Sequence, residues 1–387
     1  MHDVVVIGAG PAGLLAAHTL ATRGHDVLVV EEHQAVGYPV HCTGVIGLEA
    51  FDEFDLPRDS LLAVLKSARF SAGSTGRSVT IDSDDLNGAI VDRAAFDQRL
   101  AARARESGVA IRMGVRAEQL AVLSDSVRVT LAGGQNLKAR ACVLACGANY
   151  RFQRQMGLGS PRLYLRSAQA EIPFPSRAHV EICFGRGVAP GGFAWVVPFS
   201  RGSVPHVRIG LMCEADARVH FREFCRQLAR ESGIDGAALE SPRVKIIPLS
   251  PVKKTYGDRV LAVGDAAGLV KPTTGGGVYY GLLTGRLAGE VLAERLSTDA
   301  LDETSLQAYE RRWRERLGPE IRAGLAFRAI ASRLNDRAID GLIELARVDG
   351  IVPLLKKTAN FNWHGRAVLE LLRNPSFRRI ALTSLLG

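Results

Sequence analysis

The sequence predicts an α/β protein: a Rossmann-like dinucleotide-binding domain, interrupted by an antiparallel β-sheet and followed by a helical region. Three observations predict it. The chain starts with an apolar strand, a glycine turn and a helix; a run of alternating strands occupies 149–251; and a buried strand returns after 252, ending at Asp265. The nucleotide domain is therefore discontinuous, 1–148 with 252–298. The inserted sheet is 149–251 and the helical region 299–387.

The first stretch carries the most information. Val4 to Ile7 is an unbroken β-branched run, as in a parallel strand buried on both faces, and Gly8, Gly10 and Gly13 follow at GxGxxG spacing. That spacing gives a tight turn, an approach to a pyrophosphate and close helix–strand packing in turn, with Pro11 suited to the first helical turn. The free amides there and the helix dipole favour an anion. Asp26 to Val30 forms a second apolar strand, and the acidic pair Glu31 and Glu32 closes it, Glu31 lying eighteen residues beyond Gly13. A carboxylate there accepts from ribose hydroxyls and repels a 2′-phosphate, so the nucleotide is FAD or NAD rather than NADP.

Composition narrows the rest. With 387 residues, 47% hydrophobic and 23% charged, the chain is ordinary globular material with room for two or three packed units. The formal net charge of +9 is scattered, without the basic and aromatic interleaving of a nucleic-acid platform, and suits an acidic small molecule or an anionic membrane surface. No apolar run approaches a membrane span and the first strand leaves no room for a secretory signal, so a cytoplasmic protein is expected, at most peripheral at a membrane. Six cysteines, at 42, 142, 146, 183, 213 and 225, show no CxxC or metal pattern; reduced thiols and no metal are expected.

Beyond Glu31 the sequence reads as loop-rich to about 86, with Cys42 in the Gly- and Pro-punctuated stretch YPVHCTG, either as core filler or as a group at the site. A strand, a helix and a strand follow over 88–114. Asp92 is the expected cap of that helix and Arg93 opens it, where the dipole prefers negative charge; an anionic ligand or a salt bridge accounts for it. A hairpin over 117–131 turns at Ser124 to Ser126, and 141–145 is a buried strand that keeps Cys142 and Cys146 in the core. In the inserted sheet Phe193, Trp195 and Val197 alternate onto one face, as a pocket wall or as sheet core. Asp265 ends a strand at its carboxyl edge, where ligands of doubly wound sheets lie, and Gly275 to Gly277 lead into a helix, so that something must approach their backbone closely. After 301 the chain reads as successive helices. Its last part carries Lys356, Lys357, Arg366, Arg373, Arg378 and Arg379 against Glu370 alone, a pattern of basic amphipathic helices either resting on a bilayer or packed on the sheet.

Together GAGPAG with Glu31, VDRAAFDQRLA from Val91 and LAVGDAAGLVKPTTGGGVYYGL from Leu261 resemble the signatures of FAD-dependent aromatic hydroxylases, halogenases and geranylgeranyl reductases. Within that superfamily, YPVHCTG and GGFAWVVP resemble most the proline–cysteine loop and YxWxFP motif of geranylgeranyl reductases, with Phe193 and Val197 in place of the tyrosine and phenylalanine and Thr43 where many members have glycine. The resemblance implies FAD held by Gly8, Gly10 and Gly13 at the pyrophosphate and by Glu31 at the adenosine ribose, with Ala12, Glu32, Val115 and Gly147 also among the cofactor-binding residues. Arg93 and Asp265 would meet the phosphates and ribityl chain, and Gly275, Gly276, Gly277 and Val278 the ring. Cys42 would lie by the ring and Trp195 on the pocket wall.

It further implies hydride delivery from reduced FAD to the double bonds of a polyprenyl lipid or prenylated quinone, with NAD(P)H or ferredoxin as transient electron donor. Cys42, Tyr279 and Tyr280 are the candidate proton donors. The alternative on this scaffold is an NAD(P)H- and oxygen-using monooxygenase or halogenase. The oligomeric state is left open.

Overall fold

The computed structural model describes residues 1–82, 87–233, 242–348 and 361–386; Lys356 and Lys357 lie outside the described residues. The chain opens with β1 (His2–Ile7), α1 (Pro11–Ala21) and β2 (Val27–Val30). Every residue of β2 and the Val4–Ile7 run of β1 are buried, as a strand covered on both faces requires.

The stretch read as loop is in fact structured: β3 (Val45–Gly47), α2 (Glu49–Glu53), β4 (Leu61–Val64), β5 (Ser67–Ala72), β6 (Ser78–Asp82) and β7 (Gly88–Val91). Pieces of three to six residues are too short to establish a period, which is why alternation did not reveal them. Next come α3 (Arg93–Glu106) and β8 (Ala110–Arg112), then the antiparallel meander β9 (Ala117–Val122), β10 (Val127–Leu131) and β11 (Asn136–Leu144), as the predicted hairpin required. Cys142 is buried and Cys146 partly so.

After α4 (Arg151–Gln155) the chain forms β12 (Tyr164–Pro173), β13 (Val180–Phe184), β14 (Phe193–Arg201), β15 (Val204–Cys213), α5 (Ala217–Ser232) and β16 (Arg243–Pro248). It then returns through β17 (Tyr256–Gly257) and β18 (Val260–Ala262) to the first sheet, whose order is β17-β18-β11-β1-β2-β8 with parallel pairing from β18 to β8. The second sheet, expected from 149–251 alone, runs β16-β12-β15-β14-β13-β5-β6 and so takes two strands from the earlier segment. Its back face packs Ala194, Val196, Ile209 and Leu211 on α5; its front face carries Leu165, Trp195, Val197 and Met212. β3, β7 and β4 form a third, small sheet.

The helical end comprises α6 (Val278–Leu296), α7 (Glu303–Ala331), α8 (Asp336–Val348), α9 (Gly365–Arg373) and α10 (Pro375–Leu386). α6 crosses α1 with almost no separation: a Cβ on Gly285 would lie 2.2 Å from the Ala12 carbonyl oxygen. α7 continues as one helix through Pro319. Proline at that point removes a hydrogen bond and costs about 3 kcal/mol. Tertiary contacts offset it: Trp313 Nε1 donates to Thr255 Oγ1 (2.9 Å) and Tyr309 to the Ala262 carbonyl (2.8 Å), with both rings buried. None of the described helices is long and apolar enough to cross a membrane.

Candidate active site

The first part of the site is the end of β1. Gly8 has φ +111°, and a Cβ there would lie 2.4 Å from the Ala145 carbonyl oxygen at the end of β11, so only glycine allows the turn. Gly10 caps α1 and has nothing within 4 Å of its Cβ position; the first-turn amides face open space, as a pyrophosphate requires. Ala12 instead packs on α6, where it meets Gly281 and Gly285. Glu31 sits at the lip of the turn, its Oε2 accepting from Ala9 N (2.7 Å) and its Oε1 from His33 N (3.0 Å). Val115 N donates to the Glu31 carbonyl, Glu32 is exposed close to Cys146, and Gly147, with φ +61°, has open space before it. Gly8, Glu31, Val115 and Gly147 thus follow the carboxyl ends of the adjacent parallel strands β1, β2, β8 and β11.

The second part is the start of α3. Asp92 caps the helix, accepting from Ala94 N and Ala95 N at 3.0 and 3.2 Å. Arg93 forms the salt bridge left open by the sequence: it grips Asp97 through both carboxylate oxygens at 2.9 and 3.0 Å, and it also meets the Cys42 thiol. Burial pushes the Asp97 carboxyl up, and the guanidinium beside it pulls back.

The third part is the glycine turn. Lys271 N donates to the Gly276 carbonyl (3.1 Å) and Gly275 N to the Lys271 carbonyl (2.8 Å). Close approach to these glycines comes partly from the protein itself: Cβ atoms would meet Ile247 and Met212 at Gly275, Lys271 Cε at Gly276 and Asp265 Oδ1 at Gly277. Gly277 caps α6, which Val278 opens as expected. The Asp265 carboxylate accepts no hydrogen bond from any described residue; burial raises it, while Lys245 and Arg93 act in the opposite direction.

The fourth part is the Cys42 loop, which a buried network missed by the sequence reading fixes to the sheet. Gly44 N points at Cys42 Sγ (3.3 Å), and Thr43 Oγ1 donates to Gln169 Oε1 (3.0 Å). Arg208, fully buried, donates through Nη1 to the carbonyls of Thr43 (2.6 Å) and Val91 (2.9 Å) and through Nε to Glu171 Oε2 (2.8 Å). Arg201 extends the network to Glu171 and Asp92. Trp195 lies on the front of the sheet with its ring over Gly210, edge-on to Phe193 with centroids 5.9 Å apart.

Two candidates are placed elsewhere. Tyr279 donates its hydroxyl to Glu53 (2.5 Å) in a cluster with Arg286 and Arg316, its ring packed on Phe54 and Trp363. Tyr280 is buried in the main core. The orphan first-turn amides, the uncommitted Asp265 carboxylate and the open face at Gly10 and Gly147 fit FAD.

The comparisons agree with this geometry. The FAD binding domain family matches residues 1–318. A digeranylgeranylglycerophospholipid reductase of Methanocaldococcus jannaschii is 31% identical over 91% of this chain and 92% of its own, and a second from Methanopyrus kandleri is 30% identical over 92% of each. Among solved structures, a geranylgeranyl bacteriochlorophyll reductase-like protein of Thermoplasma acidophilum superposes with TM-score 0.82 at 20% identity, covering 99% of this chain and 98% of its own. A halogenase in complex with FAD gives 0.67 at 15% identity, covering 99% and 85%. Likeness at such identity establishes the fold, and the family follows from the match through residue 318 and the relatives aligned over nine-tenths of the chain: this is an FAD-dependent oxidoreductase of the geranylgeranyl reductase family.

Proposed function

We propose that the protein saturates carbon–carbon double bonds of a polyprenyl lipid. The observation that carries this reading is the front of the seven-stranded sheet, where Leu165, Ile182, Phe193, Trp195 and Val197 form an apolar wall and Met212 and Ile247 abut the Gly275 turn. Such a wall binds an isoprenoid chain and keeps water from it. The names of the relatives, digeranylgeranylglycerophospholipid reductases, support the same substrate class.

When bound, FAD supplies the hydride. Gly8, Gly10, Gly13 and Glu31 hold its adenosine and pyrophosphate half, Arg93 and Asp265 orient its middle, and the Gly275–Gly277 turn seats its ring. An isolated alkene accepts hydride poorly, so proton delivery must be closely coupled. Of the donors offered by the sequence, Cys42 remains free for that role, its thiol held between Gly44 N and Arg93. NAD(P)H or ferredoxin completes the cycle as electron donor.

Peripheral contact with an anionic bilayer belongs to this reading: Arg366, Arg373, Arg378 and Arg379 are exposed on α9 and α10 beside exposed Leu369 and Leu382. Sedimentation with anionic but not neutral vesicles checks it. The reaction itself is tested anaerobically. FAD-loaded protein reduced with dithionite should be reoxidised by geranylgeranyl lipids, with mass spectrometry showing the added hydrogens. No reoxidation by any prenyl lipid refutes the proposal, and an oxygen-dependent hydroxylated or halogenated product replaces it.

A further inference from the structure

The strand register places a ladder of side chains on the front of the second sheet. Ile182 pairs with Trp195, Trp195 with Gly210, Gly210 with Gln169 and Gln169 with Arg243; one step along, Phe193 pairs with Met212, Met212 with Ser167 and Ser167 with Lys245. Directly paired residues share a face, so this face is graded: aromatic and aliphatic on β13 and β14, neutral polar on β12, cationic on the edge strand β16. Three inter-strand steps separate Arg243 from Trp195, about 14 Å at the usual spacing.

Arg243 and Lys245 form no ion pair or hydrogen bond with any described residue, in a chain where most arginines are paired. Both side chains are exposed, and the register puts them on the same front face of the sheet as Gln169 and Ser167. The charges of both hold the His41 imidazole down, second to its burial, and the charge of Lys245 acts on Asp97 and Asp265. An exposed pair of unneutralised cations at the polar end of an apolar wall has the layout of an amphiphile's binding site.

We propose that Arg243 and Lys245 dock a phosphate-bearing head group of the prenyl lipid, with its chain crossing β12 and β15 toward Trp195. This rests on the function proposed above and adds to it a requirement for an anionic head. Gln169 and Ser167, between the cations and the apolar wall, are placed to meet the polar atoms next to the phosphate.

Equilibrium binding to the oxidised FAD-loaded protein tests this without turnover, using geranylgeranyl diphosphate, the uncharged geranylgeraniol and inorganic pyrophosphate as probes. The double variant Arg243→Gln/Lys245→Gln should bind the diphosphate at least tenfold more weakly, bind the alcohol as the parent does, and keep its FAD content and circular dichroism. In the parent, added salt should weaken the diphosphate only. Equal affinity of parent and variant for the diphosphate overturns the proposal. Loss of FAD from the variant reassigns the pair to the cofactor, and pyrophosphate binding as tightly as the lipid reassigns it to a free phosphate ligand; either result also overturns it. If the parent binds as described but reduces neither lipid, the proposed reaction fails while the head-group site stands.

Discussion

The guanidinium of Arg208 ties together three pieces distant in sequence: Glu171 on β12, the Val91 carbonyl at the end of β7 and the Thr43 carbonyl beside Cys42. A charge with no exposure is tolerable only while those acceptors stay in place. Arg208→Met leaves Glu171 paired with Arg201 but removes the donor from the Thr43 and Val91 carbonyls, and should cost about 1 to 3 kcal/mol for each carbonyl left unsatisfied. Arg208→Lys keeps the charge but places all its donors on one nitrogen, in place of the separate Nε and Nη1 sites that reach Glu171 and the two carbonyls. It should fold, retain FAD and lose turnover with little change in KM, because the Cys42 loop is no longer held; parental turnover in the lysine variant would refute the positioning role. Nothing in HVRIGLMC marks this arginine in the sequence, since a charged residue within a strand ordinarily faces water. Arg93 was legible for the opposite reason: its position at a helix start is a local anomaly, and Asp97 one turn on supplies its partner.

At the level of elements, α1 and α6 cross closely, which the proposed FAD site requires for both N-termini to reach one ligand. Gly281, Gly285 and Gly289 recur every fourth residue along α6 and lie on Ala12, Ala16 and Thr19 of α1. That spacing was readable as a small-residue stripe, but the partner helix lies more than 250 residues away in sequence, and no local pattern names it. The same limit hid β5 and β6, whose place in the second sheet follows from parallel pairing of β5 with β13. Gly285→Ala gains helix propensity of about 1 kcal/mol, yet its methyl would overlap the Ala12 carbonyl at 2.2 Å. The overlap should dominate, for a net loss of roughly 1 to 3 kcal/mol with weaker FAD retention. Gly341→Ala in α8 is the contrast: its nearest neighbour would be Ile380 at 3.7 Å, and it should stabilise by roughly 0.5 to 1 kcal/mol. Urea midpoints of the two variants measure both effects, and equal shifts would mean that the crossing is not tight.

For the molecule as a whole, the far C-terminal part of the chain locks the glycine turn. Lys271 donates to the Phe361 carbonyl (2.9 Å), Asn362 donates to Glu49 (2.9 Å), and Gly365 N donates to Glu320 (2.6 Å), so part of the basic tail is packed and only one side of α9 and α10 remains free. His364 completes the lock as a neutral ring, Nε2 donating to the Phe361 carbonyl (3.0 Å) and Nδ1 accepting from Thr273 (2.6 Å), an arrangement a second ring proton would break. Burial, with Lys271 nearby, holds His364 down to about 3, and burial with Lys245 and Arg243 holds His41 down to about 4. In the unfolded chain both protonate near 6.5, so between their folded values and 6.5 the unfolded state binds more protons and stability rises with pH. Going down in pH, stability should begin to fall near 6.5, each histidine adding up to about 1.4 kcal/mol per pH unit to the slope, until His41 protonates near 4 and His364 near 3 in the folded protein. Carboxylates contribute acid sensitivity too, so the decisive comparison is between the parent and a His41→Asn/His364→Gln variant. Denaturant midpoints taken from about pH 7.5 to about pH 4.5 should converge as pH falls, the variant losing stability more slowly, whereas parallel curves would show that neither ring is held neutral in the fold.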